Sequence, residues 1–136
     1  MPNPPDDKIR DLLTNARTVA VVGHSENPAR TSYQIANYLR SVGYKIYPIN
    51  PTVDQIDGQK SYASLADVPE PIDVVDVFRR PEHLPAIVAE AIAAGAKAVW
   101  GQLGVVDWDA GQKALDAGLD VVMDRCMRVE HRRLVA

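Results

Sequence analysis

Apolar positions along the chain follow two alternating rhythms. Short apolar runs at 18–22, 45–49, 73–78, 97–100 and 119–123 read as strands, most of them without polar alternation and therefore buried on both faces. Between the runs, apolar residues recur at helical spacing. Ile9, Leu12, Leu13 and Ala16 predict a first helix capped by Asp6 or Asp7. Ile35, Tyr38, Leu39 and Val42 predict a helix over 32–42 that Gly43 ends. Leu84, Ile87, Val88, Ala91 and Ile92 form the strongest stripe, with Pro81 at the first helical position and Gly95 past the end. Asp107 caps a helix over 108–117, and a last short helix lies within 126–134. Residues 52–71 are less regular: Asp57-Gly58 marks a turn, Ser61-Tyr62 a short edge strand and 65–68 one helical turn, while 1–5 read as a loose leader.

One joint recurs. Gly43-Tyr-Lys, Gly95-Ala-Lys and Gly118-Leu-Asp each place a helix-ending glycine, a spacer and a charged residue before an apolar strand. Strands alternating with helices through one repeated joint predict an α/β, Rossmann-like three-layer sandwich, expected as a single domain over 1–136. Its parallel sheet has five strands in the order 2-1-3-4-5, with room for a sixth at the edge outside strand two.

In such a sheet, ligands bind beyond the carboxyl ends of the strands, near the point where strand order reverses. Strand one ends in Gly23-His24-Ser25 and is followed by a polar turn and a helix start near Thr31 or Ser32. Glycine permits close approach to the backbone, and a helix start offers free N–H groups to an anion. Strand three ends in Phe78-Arg79-Arg80 across the switch point. With Arg30 these arginines concentrate positive charge, and guanidinium suits phosphate. The pattern points to a phosphorylated, nucleotide-like ligand. A G-x-G-x-x-G fingerprint is absent, strand two ends in Asn50-Pro51 rather than an acid, and there is no Gly-Lys-Ser/Thr, which argues against dinucleotide and P-loop sites.

Composition narrows the setting. A net charge of −3 over 136 residues gives no general affinity for nucleic acid or an anionic membrane, so any anion site is local. The single cysteine, Cys126, fits a reducing compartment, and neither a signal peptide nor a membrane span is visible; a cytoplasmic location is expected. His24, His83, His131 and Cys126 show no metal-ligand spacing, and no catalytic triad can be assigned, so neither a metal nor a catalytic residue is expected. His83 and His131 read as surface helix residues. Cys126 reads as a semi-buried thiol; the neighbouring Arg125 and Arg128 raise the alternative of a mixed disulfide with a ligand thiol.

Five motifs taken together, Val21-Val-Gly-His-Ser-Glu-Asn-Pro-Ala-Arg-Thr-Ser-Tyr, Tyr47-Pro-Ile-Asn-Pro, Val77-Phe-Arg-Arg-Pro-Glu, Trp100-Gly-Gln-Leu-Gly and Met123-Asp-Arg-Cys-Met-Arg-Val-Glu-His, cover nearly the whole chain. In them the sequence resembles the small CoA-binding protein family, related to the N-terminal domain of the succinyl-CoA synthetase α subunit. The resemblance implies a domain that binds coenzyme A or an acyl-CoA. Gly23, His24 and Ser25 would take the phosphates, and Asn50 and Pro51 would line the second-strand side. Phe78 and Arg79 would border adenine and ribose, and Trp100, Gly101 and Gln102 would lie along the cleft toward the pantetheine arm. The synthetase also needs a phosphohistidine from a further domain and a nucleotide site on its β subunit, for which this chain is expected to lack the parts; its ligase activity is not carried over. The expectation is a stand-alone, non-catalytic CoA-binding module. A small acyl-CoA-dependent enzyme, and a regulator binding NAD or an adenine nucleotide through the same fold, stand as alternatives.

Overall fold

A computed structural model describes residues 3–136. Helix α1 (Asp6–Asn15) precedes β1 (Thr18–Val22), α2 (Thr31–Ser41) and β2 (Lys45–Ile49). A two-stranded hairpin, β3 (Gln55–Ile56) and β4 (Gln59–Lys60), leads to a 3-10 turn at Leu65–Asp67. Then follow β5 (Val74–Val77), a second 3-10 turn at Pro81–His83, α3 (Leu84–Ala93), β6 (Ala98–Gly101), α4 (Trp108–Asp116), β7 (Asp120–Val122) and α5 (Met127–Leu134). The main sheet has five strands in the order β2-β1-β5-β6-β7, every pairing parallel. This is the 2-1-3-4-5 order that the alternation predicts.

The strands form where expected because valine-rich segments bury side chains on both faces; all of Thr18–Val22 and Val74–Val77 is buried. Ala20, Val22, Val75 and Val77 pack under α3 and α4, whereas Val19, Val21, Val74 and Trp100 pack under α1, α2 and α5. The repeated glycine joint has a single structural explanation. Tyr44, Ala96 and Leu119 each donate the backbone N–H to the carbonyl five residues back, at Leu39, Ala91 and Ala114, all at 3.0 Å. That bond is the signature of a Schellman helix end, which turns the chain straight into the next strand.

Several local expectations change. The sixth strand reduces to one isolated parallel bridge, Ile49 to Tyr62, because the neighbouring residues form the antiparallel β3–β4 hairpin around Asp57-Gly58 instead. Pro5, not Asp6 or Asp7, occupies the cap position of α1. The leader is tied down at Asn3, which donates from Nδ2 to the Met123 carbonyl and accepts from the Met123 N–H, both at 2.8 Å. Residues 1 and 2 of that leader lie outside the described residues. His131 is buried, not on the surface: its Nδ1 bonds the Tyr38 hydroxyl at 2.8 Å and its ring packs edge-on to Tyr38 and Tyr44.

Candidate functional site

The carboxyl ends of β1, β2 and β5 meet at the switch point, where β1 lies between β2 and β5. Gly23 stands at the centre. Its φ of +85° is left-handed, and a Cβ there would lie 3.1 Å from the Phe78 carbonyl oxygen. Glycine is therefore required by the chain itself, before any ligand is considered. The N–H of Gly23 donates to the Ile49 carbonyl at 3.0 Å, and the N–H of Phe78 donates to Val22 at 2.9 Å, so all three strand ends are laced together here.

The segment after Gly23 is tied by side-chain hydrogen bonds to its own backbone. Ser25 N–H donates to Ser32 Oγ at 2.9 Å, Asn27 N–H to Ser25 Oγ at 3.0 Å and Ala29 N–H to Asn27 Oδ1 at 3.0 Å. Arg30 takes the N-cap position of α2, whose first turn has no side-chain cap; its leading amides stay available to an anion.

Two cavities open on this junction and share Gly23 and Asn50 as a common wall. One, of about 520 Å³, is lined by Ser25, Arg30, Thr31, Ser32 and Phe78. The other, of about 310 Å³, is lined by Pro51, Thr52, Ser64, Leu65, Arg79 and Glu90. Each lobe thus has one arginine, and the volumes suit a small-molecule site. Glu90 brings an acid to the second lobe.

Of the residues expected here, Gly23, Ser25, Arg30, Asn50, Pro51, Phe78 and Arg79 come together around the two lobes. Asn50 is a strut more than a free ligand group. Its Nδ2 donates to the His24 carbonyl at 2.9 Å, and its Oδ1 accepts from Thr52 N–H and Oγ1. The others do not join them. The His24 ring is fully buried, with Nδ1 bonded to the Ser25 carbonyl at 2.8 Å, and burial before all else pushes its pKa down. Arg80 projects into solvent, 85% exposed, near Glu82. Trp100 is fully buried, and its Nε1 donates to the Arg125 carbonyl at 2.8 Å. Gln102 is buried too, with Oε1 accepting from the Met127 N–H at 3.0 Å to cap α5. A Cβ on Gly101 would lie 2.3 Å from the Val105 carbonyl oxygen, so that glycine serves a tight return of the chain. The segment 100–102 therefore lines neither lobe, with the side chains of Trp100 and Gln102 buried. Cys126 is a buried free thiol within the α1–α2–α5 core and lines neither lobe.

Sequence reasoning missed Thr52, Ser64, Leu65 and Glu90. They come from the irregular segment and from the outer face of α3, where no periodicity or motif marks a residue as facing a ligand. No group of three or more metal-ligating side chains occurs among the described residues.

With this geometry in hand, likeness to known proteins is informative. Uncharacterized protein YneT of Bacillus subtilis is 40% identical over 131 residues, which span 96% of this chain and 97% of that one. A hypothetical protein from Pyrococcus horikoshii, of solved structure, superposes with a TM-score of 0.94 at 41% identity, covering 98% of this chain and 94% of that one. Acetate–CoA ligase [ADP-forming] II of Archaeoglobus fulgidus is 33% identical over 91 residues, 65% of this chain but 13% of the ligase. Residues 17–132 match the family described as CoA binding domain, and the chain belongs to that family.

Proposed function

We propose that this member of the CoA binding domain family binds coenzyme A in the two-lobed cleft, through the phosphorylated ADP part, and does no chemistry on it. The observation that carries the reading is the junction itself. A glycine waist joins two lobes, each with one arginine, beside the uncapped start of α2, in a protein whose net charge is otherwise negative. Backbone amides at the uncapped start of α2 suit a pyrophosphate, and Arg30 and Arg79 suit its charge and that of the 3′-phosphate. Half-buried Phe78, between them, offers a face to the adenine. Among the described residues neither lobe is lined by a cysteine or a histidine, and the one lining serine bonded to a carboxylate, Ser64 to Asp67 at 3.1 Å, sits at the start of the 3-10 turn, which favours binding over turnover. The near-equal length of the Bacillus subtilis relative supports a module that works by itself. The single cysteine favours the cytoplasm.

Isothermal titration calorimetry with CoA, dephospho-CoA, NAD and ATP tests the reading. Selective binding near micromolar, about −8 kcal/mol, is expected for CoA. Arg30→Ala and Arg79→Ala should each weaken it by about tenfold, the loss of a charged hydrogen bond of roughly 1.5 kcal/mol. Binding of NAD or ATP with no heat from CoA at several temperatures would overturn the ligand assignment.

A further inference from the structure

His24 lies in the middle of the cleft loop, yet its ring turns inward. The loop around it is held by three bonds: Asn50 Nδ2 to the His24 carbonyl, Ser25 N–H to Ser32 Oγ, and His24 Nδ1 to the Ser25 carbonyl. A carbonyl oxygen only accepts, so Nδ1 carries the proton. In the neutral ring Nε2 is then a bare acceptor, and it is buried without a partner among the described residues.

Arg40 presents the complementary deficit. Tyr33, Asn37 and Arg40 fall at i, i+4 and i+7 on α2 and so share one stripe of the helix. Tyr33 packs edge-on against the His24 ring, centroids 6.1 Å apart, and its hydroxyl bonds Asp57 at the tip of the β3–β4 hairpin. Arg40 Nη1 donates to Asn37 Oδ1 at 3.1 Å, while Nε and Nη2 are buried and unpartnered among the described residues. The charges acting on the ring come from Arg40 on α2 and Asp57 on the hairpin, of opposite sign. One unpaired acceptor and an unpaired two-nitrogen donor edge therefore lie under the same stripe of α2.

We propose that Arg40 is a positioning residue for the cleft: its Nε–Nη2 edge is turned to the bare Nε2 of His24 and holds the ring neutral, in the Nδ1–H form that ties the loop to Ser25. Protonation of Nε2 would set donor against donor and charge beside charge in a buried place, and the loop would have to open to hydrate it. Burial is the first cause that pushes the ring toward neutrality and Arg40 adds to it, while the bond to the Ser25 carbonyl and the charge of Asp57 pull the other way. The effect on affinity rests on the cleft being the CoA site; the state of the ring does not.

Long-range 1H–15N NMR of the full chain reads the tautomer directly. In the wild type His24 is expected as the neutral Nδ1–H form, with its pKa below the ordinary 6.5. Arg40→Met keeps the aliphatic stem and should raise the His24 pKa by about one unit, a tenfold change in its protonation equilibrium. Relative to wild type, CoA affinity of this variant should fall by about two- to fivefold at pH 6, less than the change in the protonation equilibrium because part of the ring stays neutral, and stay within about twofold at pH 8, by the same linkage. Arg40→Lys, which keeps the charge, should restore most of the pKa shift. An Nε2–H ring in the wild type, or an unchanged His24 pKa in Arg40→Met, overturns the proposal. If CoA fails to bind the wild type at either pH, the reading of the cleft falls, and the tautomer and pKa still decide the role of Arg40.

Discussion

The two faces of the sheet are built differently. Under α3 and α4 the buried cluster is apolar, from Ala20, Val75 and Val77 to Leu84, Ile87 and Val121, but for Tyr47, whose hydroxyl bonds Glu70. Under α1, α2 and α5 the core is stitched by polar groups. Tyr44 donates to the Leu13 carbonyl, Tyr38 bonds His131, and Gln102 caps α5. Glu130 and Asp6 hold Arg133 between α5 and α1. The same face has Asp76, in register between Val21 and Trp100, wholly buried with neither oxygen hydrogen-bonded among the described residues. Helices α2 and α5 both begin on this side, at the carboxyl ends of the strands. The apolar face supplies non-directional stability; the polar face sets directions and so fixes where the helix starts and the cleft loop stand.

The contrast can be broken at graded cost. Leu84→Ala, at a fully buried site of the apolar face, should lose about 2–5 kcal/mol in urea denaturation. A loss below about 1 kcal/mol would mean that this face collapses around the change and does not dominate stability. Asp76→Val should do the reverse and gain about 1–3 kcal/mol, since an unpaired buried acid is replaced by the residue that flanks it.

Asp76 also gives a pH signature. Burial raises its pKa well above 3.8, so the folded state keeps a proton that the unfolded state releases. Wild-type stability should therefore fall as pH rises above about 4, and the slope should disappear in Asp76→Val. A flat profile in the wild type would show that the carboxyl is solvated in solution. Glu130 has the opposite sign. Burial works to raise its pKa, but hydrogen bonds from Arg133 and Arg125 outweigh it and hold the carboxyl below its usual value. The stability it contributes is present above pH 4.5 and is lost as pH falls through the lowered pKa; Glu130→Gln should remove that acid limb at a cost of about 1–2 kcal/mol.

Smaller changes sharpen the comparison. Tyr38→Phe deletes one half-buried hydrogen bond to His131 and should cost about 1 kcal/mol. Arg80→Ala should change stability by less than about 0.5 kcal/mol and CoA affinity by less than about twofold, because its side chain meets only solvent and a 3.9 Å contact with Glu82. A large loss of affinity there would move the phosphate site outward from the two lobes.

Much of this was legible in the chain. Strand two falls at 45–49 as its pattern predicts, Asp107 caps α4 through bonds to Asp109 and Ala110 N–H groups, and the glycine joint recurs three times with one geometry. Gly23, Ser25, Arg30, Asn50, Phe78 and Arg79 could be placed near one point because topology alone brings the ends of β1, β2 and β5 together. What a side chain does at that point was not legible. Trp100 at a strand end has the chemistry of a ligand platform, but only packing shows that its ring fills the core and its N–H serves Arg125. His24 has the chemistry of a phosphate contact, yet its ring is buried against Tyr33 with Nδ1 held by the Ser25 carbonyl.

The sequence by itself determined the winding, the strand order and the address of the cleft, because periodicity and helix stops are local and strand order follows from the handedness of the crossovers. Only the tertiary structure decided which residues at that address face the cavity and which are consumed as struts. Side-chain direction depends on partners far apart in sequence: Asn50 on His24, Gln102 on Met127 and Asn3 on Met123. The same long-range placement left Asp76 without a hydrogen-bond partner among the described residues, between Val21 of β1 and Trp100 of β6.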